Sequence, residues 1–131
     1  MADGFPTPQD AEDAFYDAFE AHDLSAMMGA WADTDDLVCI QPMGPLVQGR
    51  EAVAGVWKQV FAHAETPHIL VHHRQWAESP DLAVHVVEEK LTFPGVAADL
   101  PAMIATNVYR RDAGGWRMVL HQASPPPPPR G

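Results

Sequence analysis

The sequence is short of cysteine, of basic residues and of long apolar runs. A single cysteine among 131 residues allows no disulfide within the chain, which is typical of proteins from a reducing compartment. Eight lysines and arginines stand against 18 aspartates and glutamates, and the net charge of −10 would repel nucleic-acid and lipid phosphates. No apolar run approaches membrane-spanning length, and the start has no signal-peptide pattern. We therefore expect a cytoplasmic protein that binds neither nucleic acid nor membrane.

The overall composition is typical of one globular domain. Hydrophobic residues make up 47% of the chain and charged residues 20%, and 131 residues suffice for one core. We predict a lead-in over residues 1–8, a domain over residues 9–124 and a tail over residues 125–131. The tail opens with five consecutive prolines, which cannot donate hydrogen bonds to a sheet and therefore favour an extended polyproline segment.

Apolar side chains at helical spacing predict three helices. The first carries its stripe on small and aromatic residues, with acidic residues in its first turns where the helix dipole favours negative charge. A short second helix buries Met27 and Trp31 on one face. A third helix begins at Gly49-Arg50-Glu51 and runs to about His63, with Trp57 in its apolar stripe.

Strand-like segments occupy most of the remaining chain. One short strand, LVCIQ, precedes the third helix, and four longer ones cover residues 68–78, 82–93, 101–111 and 116–124. The segment DAGG, residues 112–115, reads as a hairpin turn between the last two. Helices followed by a strand meander indicate an α+β domain with one curved antiparallel sheet, which can enclose a cavity against the helices.

Three motifs carry a resemblance to a known superfamily. They are AWADTDDLVCIQPMGP followed by GREAVAGVWKQVF, then ATNVYRRDAGGW, and finally WRMVLHQASP. Together they resemble the nuclear-transport-factor-2-like (NTF2-like) superfamily, also called SnoaL-like or cystatin-like. The resemblance implies a cone of curved sheet closed by three helices. It implies little about function, because the superfamily includes ketosteroid isomerases, polyketide cyclases, dehydratases and a kinase association domain, which is similar at RRDAGGW.

The resemblance to the ketosteroid isomerases indicates where a site would lie. Those enzymes carry a general-base aspartate immediately before the proline, and this sequence has Gln41 there, whose amide cannot abstract a proton at neutral pH. Tyr16 matches their oxyanion tyrosine. The strand that would supply a second acid offers only Thr106 and Asn107. Steroid isomerisation by that mechanism is therefore not expected, and we predict instead a ligand pocket formed by Tyr16, Trp31, Gln41, Trp57, Asn107 and Gln122.

If the protein is an enzyme, His121 is the candidate base. Its ordinary pKa near 6.5 lies close to working pH. Glu88 is its candidate partner, with Glu89 as the alternative. His121 could equally be a polar core residue whose hydrogen bonds are made by a neighbouring strand. A one-residue change of strand register would exchange His121 and Gln122 between the two faces of the sheet.

Local spacing gives no sign of a metal site or of a cofactor. The chain has seven histidines, but His72 and His73 are adjacent on a predicted strand, so their side chains leave opposite faces. No His-x-His pair and no helical pair four residues apart is present. We expect neither metal nor cofactor.

Three functions remain open. The first is a pocket that binds a small, largely apolar molecule, and the second is isomerase-, cyclase- or dehydratase-type chemistry by His121 with a glutamate. The third is an interaction module. One face of the four-strand sheet is expected to carry Val84, Val86, Val108 and Val119, and an apolar face needs a cover, so we expect a homodimer.

Overall fold

The computed structural model describes residues 4–63, 65–96 and 100–128, and these form three helices and six strands. The helices are α1 (Pro8–Ala21), α2 (Leu24–Ala30) and α3 (Arg50–His63). The strands are β1 (Val38–Ile40), β2 (Leu46–Gln48), β3 (His68–Glu78), β4 (Leu82–Thr92), β5 (Met103–Asp112) and β6 (Gly115–Ser124). The outermost parts of the predicted lead-in and tail, residues 1–3 and 129–131, lie outside the described residues. No helix in the described ranges is long and apolar enough to span a membrane.

All six strands form one sheet in the order β2-β1-β6-β5-β4-β3. The prediction of an α+β domain is confirmed, but the sheet is mixed rather than wholly antiparallel, because β1 pairs with β6 in parallel. The strand β2 was not predicted. It has only three residues and follows the Pro/Gly turn, and it pairs antiparallel with β1.

The helices begin and end where local chemistry places their caps. The Thr7 side chain accepts a hydrogen bond from the Asp10 backbone N–H at 3.1 Å, and Pro8 follows as the first residue of α1. His22, with a φ of 53°, ends that helix in the left-handed conformation. Asp23 caps α2 by accepting from the Ala26 N–H at 3.0 Å.

The helices cover one face of the sheet, here called the inner face, and aromatic side chains fill the space between them. Phe15, Trp31 and Trp57 are fully buried. The Phe15 ring meets Trp57 edge-on with the centroids 5.4 Å apart, and it lies 5.0 Å from the His121 ring. Edge-to-face contacts of this kind stabilise a packed core beyond their buried area.

Two bulges alter which side chains share a face of the sheet. The pairing of β3 with β4 shifts between His73 and Gln75, and the pairing of β5 with β6 shifts between Val108 and Tyr109. Strict alternation would place His73 and Trp76 on opposite faces. The bulge in β3 brings both beside the inward-facing His85, with ring centroids 5.5 Å and 3.8 Å from it.

The chain before α1 is attached to the β5–β6 hairpin. Phe5 and Trp116 exchange two backbone hydrogen bonds, of 3.0 Å and 2.8 Å, and the Gly4 N–H donates to the Gly114 carbonyl. A Cβ on Gly115 would lie 2.7 Å from the Gly4 backbone carbon, and Gly115 has a φ of +118°. Glycine is therefore required where the two segments cross.

Candidate functional site

Polar side chains are concentrated on the inner face, where they are buried between sheet and helices. The buried polar or charged residues are Glu12, His85, Glu89, Asn107 and His121. With Tyr16 and His73 they form two hydrogen-bonded groups. We call these the Glu89 chain (Glu89, Tyr16, Asn107, His121) and the Glu12 cluster (Glu12, His73, His85).

In the Glu89 chain the direction of every hydrogen bond can be assigned. The Tyr16 hydroxyl donates to Glu89 Oε2 at 2.6 Å, and Asn107 Nδ2 donates to the Tyr16 oxygen at 2.9 Å. The Asn107 Oδ1 atom therefore faces His121 Nδ1, 2.6 Å away, and this nitrogen must carry the proton. His121 Nε2 is then an unprotonated acceptor, and it has no hydrogen-bond partner among the described residues.

Burial shifts the pKa values at the two ends of the Glu89 chain in opposite directions. Burial raises the pKa of Glu89 to about 7, against the lowering effect of the Tyr16 hydrogen bond. Burial lowers the pKa of His121 to about 3 and raises that of Tyr16 well above its ordinary value. His121 is therefore a neutral and weakly basic imidazole at pH 7, whereas Glu89 is close to half-protonated.

The Glu12 cluster connects α1 with β3 and β4, the last two strands at one end of the sheet. Glu12 Oε2 lies 2.7 Å from His73 Nε2, and Glu12 Oε1 lies 3.0 Å from His85 Nδ1. Gln9 donates to Glu12 Oε2 at 2.8 Å and so fixes the carboxylate orientation. Burial raises the pKa of Glu12, but hydrogen bonds from His85 and Gln9 and the nearby histidine charges lower it more, so the net shift is downward. Glu12 is thus a buried carboxylate anion at neutral pH.

The Glu12 cluster opens to solvent through a groove between α1 and β3. The groove has a volume of about 470 Å³. Its lining residues are Gln9, Glu12, Asp13, Tyr16, Asp17, Glu20, Ile69, Leu70, Val71 and His73. Glu12 and His85 are buried, whereas the His73 side chain keeps 34% of its surface exposed, so solvent reaches the cluster from the His73 side.

A second, apolar cleft lies between α3 and the β1–β2 hairpin. Its volume is about 250 Å³, and its lining residues are Cys39, Gln41, Pro45, Val47, Val56, Gln59 and Val60. Gln41 is half-buried, and its amide nitrogen lies 3.9 Å from the Cys39 sulfur. Cys39 pairs with His121 across β1 and β6, so the cleft ends one strand away from the Glu89 chain. Burial raises the pKa of the Cys39 thiol to about 12, which makes it an unreactive wall residue.

Two of the predicted site residues lie on the outer face, away from the others. Glu88 forms an ion pair with Arg74 at 3.0 Å and stands opposite Ile104, so it does not meet His121. Gln122 pairs with Thr106, one position beyond the His121–Asn107 pair, and alternation directs it outward. The glutamate of β4 that faces inward is Glu89, and the inward residue of β6 is His121.

The remaining predicted pocket residues do not surround one hollow. Tyr16 and Asn107 belong to the Glu89 chain, and Gln41 lines the apolar cleft. Trp31 and Trp57 are fully buried core residues, and Trp57 packs against the His121 ring at 5.9 Å. Among the described residues, the buried aromatic rings of Phe15 and Trp57 thus lie directly against His121 in the centre of the domain.

Sequence reasoning overlooked the Glu12 cluster because its members come from three distant elements. The absence of a metal site was argued from local spacing, and that argument cannot detect residues 61 and 73 positions apart. Part of the signal was nevertheless present. Glu12 lies one helical turn before Tyr16 and therefore shares its face, and His85 and Glu89 lie four positions apart on the same face of β4.

Comparison with known proteins agrees with the architecture. The chain matches the SnoaL-like domain family over residues 9–128. A solved structure from Thiobacillus denitrificans, described as a candidate calcium/calmodulin-dependent protein kinase type II association domain, is 47% identical. It superposes with a TM-score of 0.91, over 95% of this chain and 98% of that one.

Two further relatives are more distant. A candidate dehydratase of the NTF2-like family from Streptomyces avermitilis is 25% identical with a TM-score of 0.80, over 92% of this chain and 94% of that one. The F-box protein SKIP8 of Arabidopsis thaliana is 25% identical over 118 residues, which span 84% of this chain but only 46% of that protein. The resemblance inferred from the motifs is confirmed, and the chain belongs to the SnoaL-like family, with the NTF2-like fold.

Proposed function

We propose that this protein binds a small, largely apolar molecule in the cleft between α3 and the β1–β2 hairpin. This proposal rests on the cleft itself, which has a volume of about 250 Å³ and is lined by apolar side chains and two amides, Gln41 and Gln59. Binding sites for small molecules are typically concave and apolar, with a few polar groups that orient the ligand. This proposal moves the ligand from the centre of the domain to its edge, because aromatic side chains occupy the centre.

The lining limits the chemistry of the ligand. None of the described lining residues is charged, so a charged ligand would lose its hydration without gaining an ion pair. An amide both donates and accepts hydrogen bonds, so Gln41 suits a carbonyl or hydroxyl group. The volume falls just below the range of about 300–1,000 Å³ for drug-sized ligands. We therefore favour a neutral ketone, alcohol or phenol of fragment size.

Binding of cyclohexanone and p-cresol, followed by ligand-observed NMR, tests this proposal. Val56→Phe would fill the cleft and abolish binding, whereas Lys58→Phe, on the opposite and exposed side of the same helix, would leave it unchanged. Gln41→Leu would weaken binding up to about tenfold, since one hydrogen bond is lost. Gln75→Leu is its matched control on the exposed strand β3. Equal binding by wild type and Val56→Phe would refute the proposal.

A second candidate function is acid–base chemistry of the isomerase, cyclase or dehydratase type. The observation that favours it is the Glu89 chain, in which a carboxyl with a pKa of about 7 accepts a hydrogen bond from a buried tyrosine. Because His121 is buried and weakly basic, it is a poor candidate for the base, and Glu89 is the better one. Proton exchange at the α-carbon of cyclohexanone should be lost in Glu89→Gln and kept in Glu88→Gln. Exchange that is equal in both variants would exclude this mechanism.

We also propose that the protein forms a homodimer through the outer face of the sheet, and that it acts in the cytoplasm. Val84, Val86 and Val108 lie on that face, as do the exposed Leu82 and Ile104, whereas Val119 packs partly against the core. The relative described as an association domain supports assembly. Sedimentation should give twice the 14.3 kDa chain mass at micromolar concentration. A single-chain mass there would contradict the dimer.

A further inference from the structure

Three elements bring one carboxylate and two imidazoles to a single point. Glu12 comes from the second turn of α1, His73 from β3 just before its bulge, and His85 from the inner face of β4. One potential ligand atom from each residue can be chosen so that all three lie within 4.8 Å of one another. Among the described residues, Glu12, His73 and His85 are the group of three potential metal ligands that meets this distance limit.

The spacing of these atoms suits a small divalent ion. Zinc binds imidazole nitrogen and carboxylate oxygen at about 2.0–2.2 Å, so tetrahedral ligand atoms lie about 3.3 Å apart. Glu12 Oε1 is 3.0 Å from both His73 Nε2 and His85 Nδ1. Small outward movements of the two rings would make room for an ion.

The surroundings also favour a cation. The groove that reaches the cluster carries Asp13, Asp17 and Glu20 besides Glu12, and none of its described lining residues is lysine or arginine. An acidic cleft with low-dielectric walls raises the local concentration of cations. Gln9 bonds both Glu12 and Asp13, at 2.8 Å each, and holds the carboxylate in place. Such supporting hydrogen bonds orient metal ligands in known sites.

We propose that Glu12, His73 and His85 bind one divalent transition-metal ion of the Zn²⁺ class. Glu12 supplies an oxygen, His73 supplies Nε2 and His85 supplies Nδ1. Metal binding needs the lone pair of His73 Nε2 and of His85 Nδ1, so the ring proton of each imidazole must lie on its other nitrogen. Two histidines and one glutamate leave a further coordination position free, and the exposed side of His73 directs that position to the groove.

Titration of the whole 131-residue chain with Co²⁺ and Zn²⁺, after treatment with a chelator, tests this proposal. Wild type should bind one ion per chain, with the visible Co²⁺ absorption of a four- or five-coordinate site. His73→Gln and Glu12→Gln should each weaken binding at least about 100-fold, because removal of a ligand exceeds the loss of a supporting hydrogen bond. His73 is half-exposed, so His73→Gln should keep the native circular dichroism and decides the matter if Glu12→Gln does not fold.

Two other histidines provide matched controls. His72 is adjacent to His73 but faces outward opposite Glu88, so His72→Gln should bind Co²⁺ within about twofold of wild type. His68 contacts Glu20 at 3.1 Å at the far end of the same groove and represents a rival surface site. The proposal is overturned if His68→Gln abolishes binding while His73→Gln does not. Absence of binding to wild type at 1 mM Co²⁺, a concentration that half-saturates a site with a Kd of about 1 mM, also overturns it.

Discussion

The substitution Glu89→Gln isolates the energetic cost of the buried carboxyl in the Glu89 chain. Glu89 is 3% exposed and accepts a hydrogen bond from the Tyr16 hydroxyl at 2.6 Å. Glutamine keeps the shape of the side chain and an oxygen that accepts the same bond. The substitution therefore removes the titration of residue 89 while it leaves the packing and the hydrogen bond in place.

The magnitude follows from the pKa of Glu89, which burial raises from 4.5 to about 7. Between these values the folded protein keeps a proton that the unfolded chain has released, so the free energy of unfolding falls as the pH rises through this window. A difference of about 2.5 pKa units at 1.36 kcal/mol each amounts to about 3 kcal/mol. The whole cost is present above about pH 7 and is absent well below pH 4.5.

Urea unfolding at pH 4.5 and pH 8, followed by tryptophan fluorescence, measures this effect. Glu89→Gln should be within about 0.5 kcal/mol of wild type at pH 4.5 and more stable by up to about 3 kcal/mol at pH 8. Glu88→Gln is the matched control on the outer face, where an exposed ion pair with Arg74 contributes at most about 1 kcal/mol. If wild type and Glu89→Gln lose the same stability between the two pH values, Glu89 does not titrate as a buried acid.

Three further predictions concern the core, a helix cap and the thiol. Trp57→Ala should lower the free energy of unfolding by about 3–5 kcal/mol, measured in urea, because the ring is fully buried; a loss below 1 kcal/mol would contradict its place in the core. Thr7→Ala should cost about 1 kcal/mol by loss of the cap on Asp10, and Thr7→Ser should restore it. Cys39, whose burial raises the thiol pKa to about 12, should react with a thiol reagent only after unfolding; rapid labelling of native protein would refute its burial.

Local patterns were sufficient for most elements of the fold. The third helix was predicted from Gly49 to about His63 and spans Arg50–His63, because its apolar stripe and its start signal are both local. The three-residue strand β2 and the parallel pairing of β1 with β6 were not predicted. The parallel pairing depends on contacts between segments about 80 residues apart, which no local periodicity reports. The strand β2 pairs with the nearby β1, but three residues are too few to show a periodic pattern.

The site was less accessible to sequence reasoning because burial decides which polar residues meet. The acidic residues near the start of the first helix were interpreted as interacting with the helix dipole, yet the carboxylate of one of them, Glu12, is buried against two histidines. The bulge at the middle of β3 turns Trp76 towards His85, and nothing in the residue pattern marks its position. Glu88 and Gln122 lie on the outer face, away from the other predicted site residues, because a single residue of strand register exchanges the two faces of a sheet.

The central position of β6 has a consequence for synthesis of the protein. It is the sixth strand along the chain, but it lies between β1 and β5 and is the strand that joins β1 and β2 to the other three. On the ribosome, β1–β2 and β3–β5 would remain two separate pieces until residues 115–124 had left the exit tunnel. Phe5 would likewise lack its partner Trp116. Nascent chains without β6 are therefore expected to present unpaired strand edges and apolar surface to chaperones, and folding would be completed after translation of this strand.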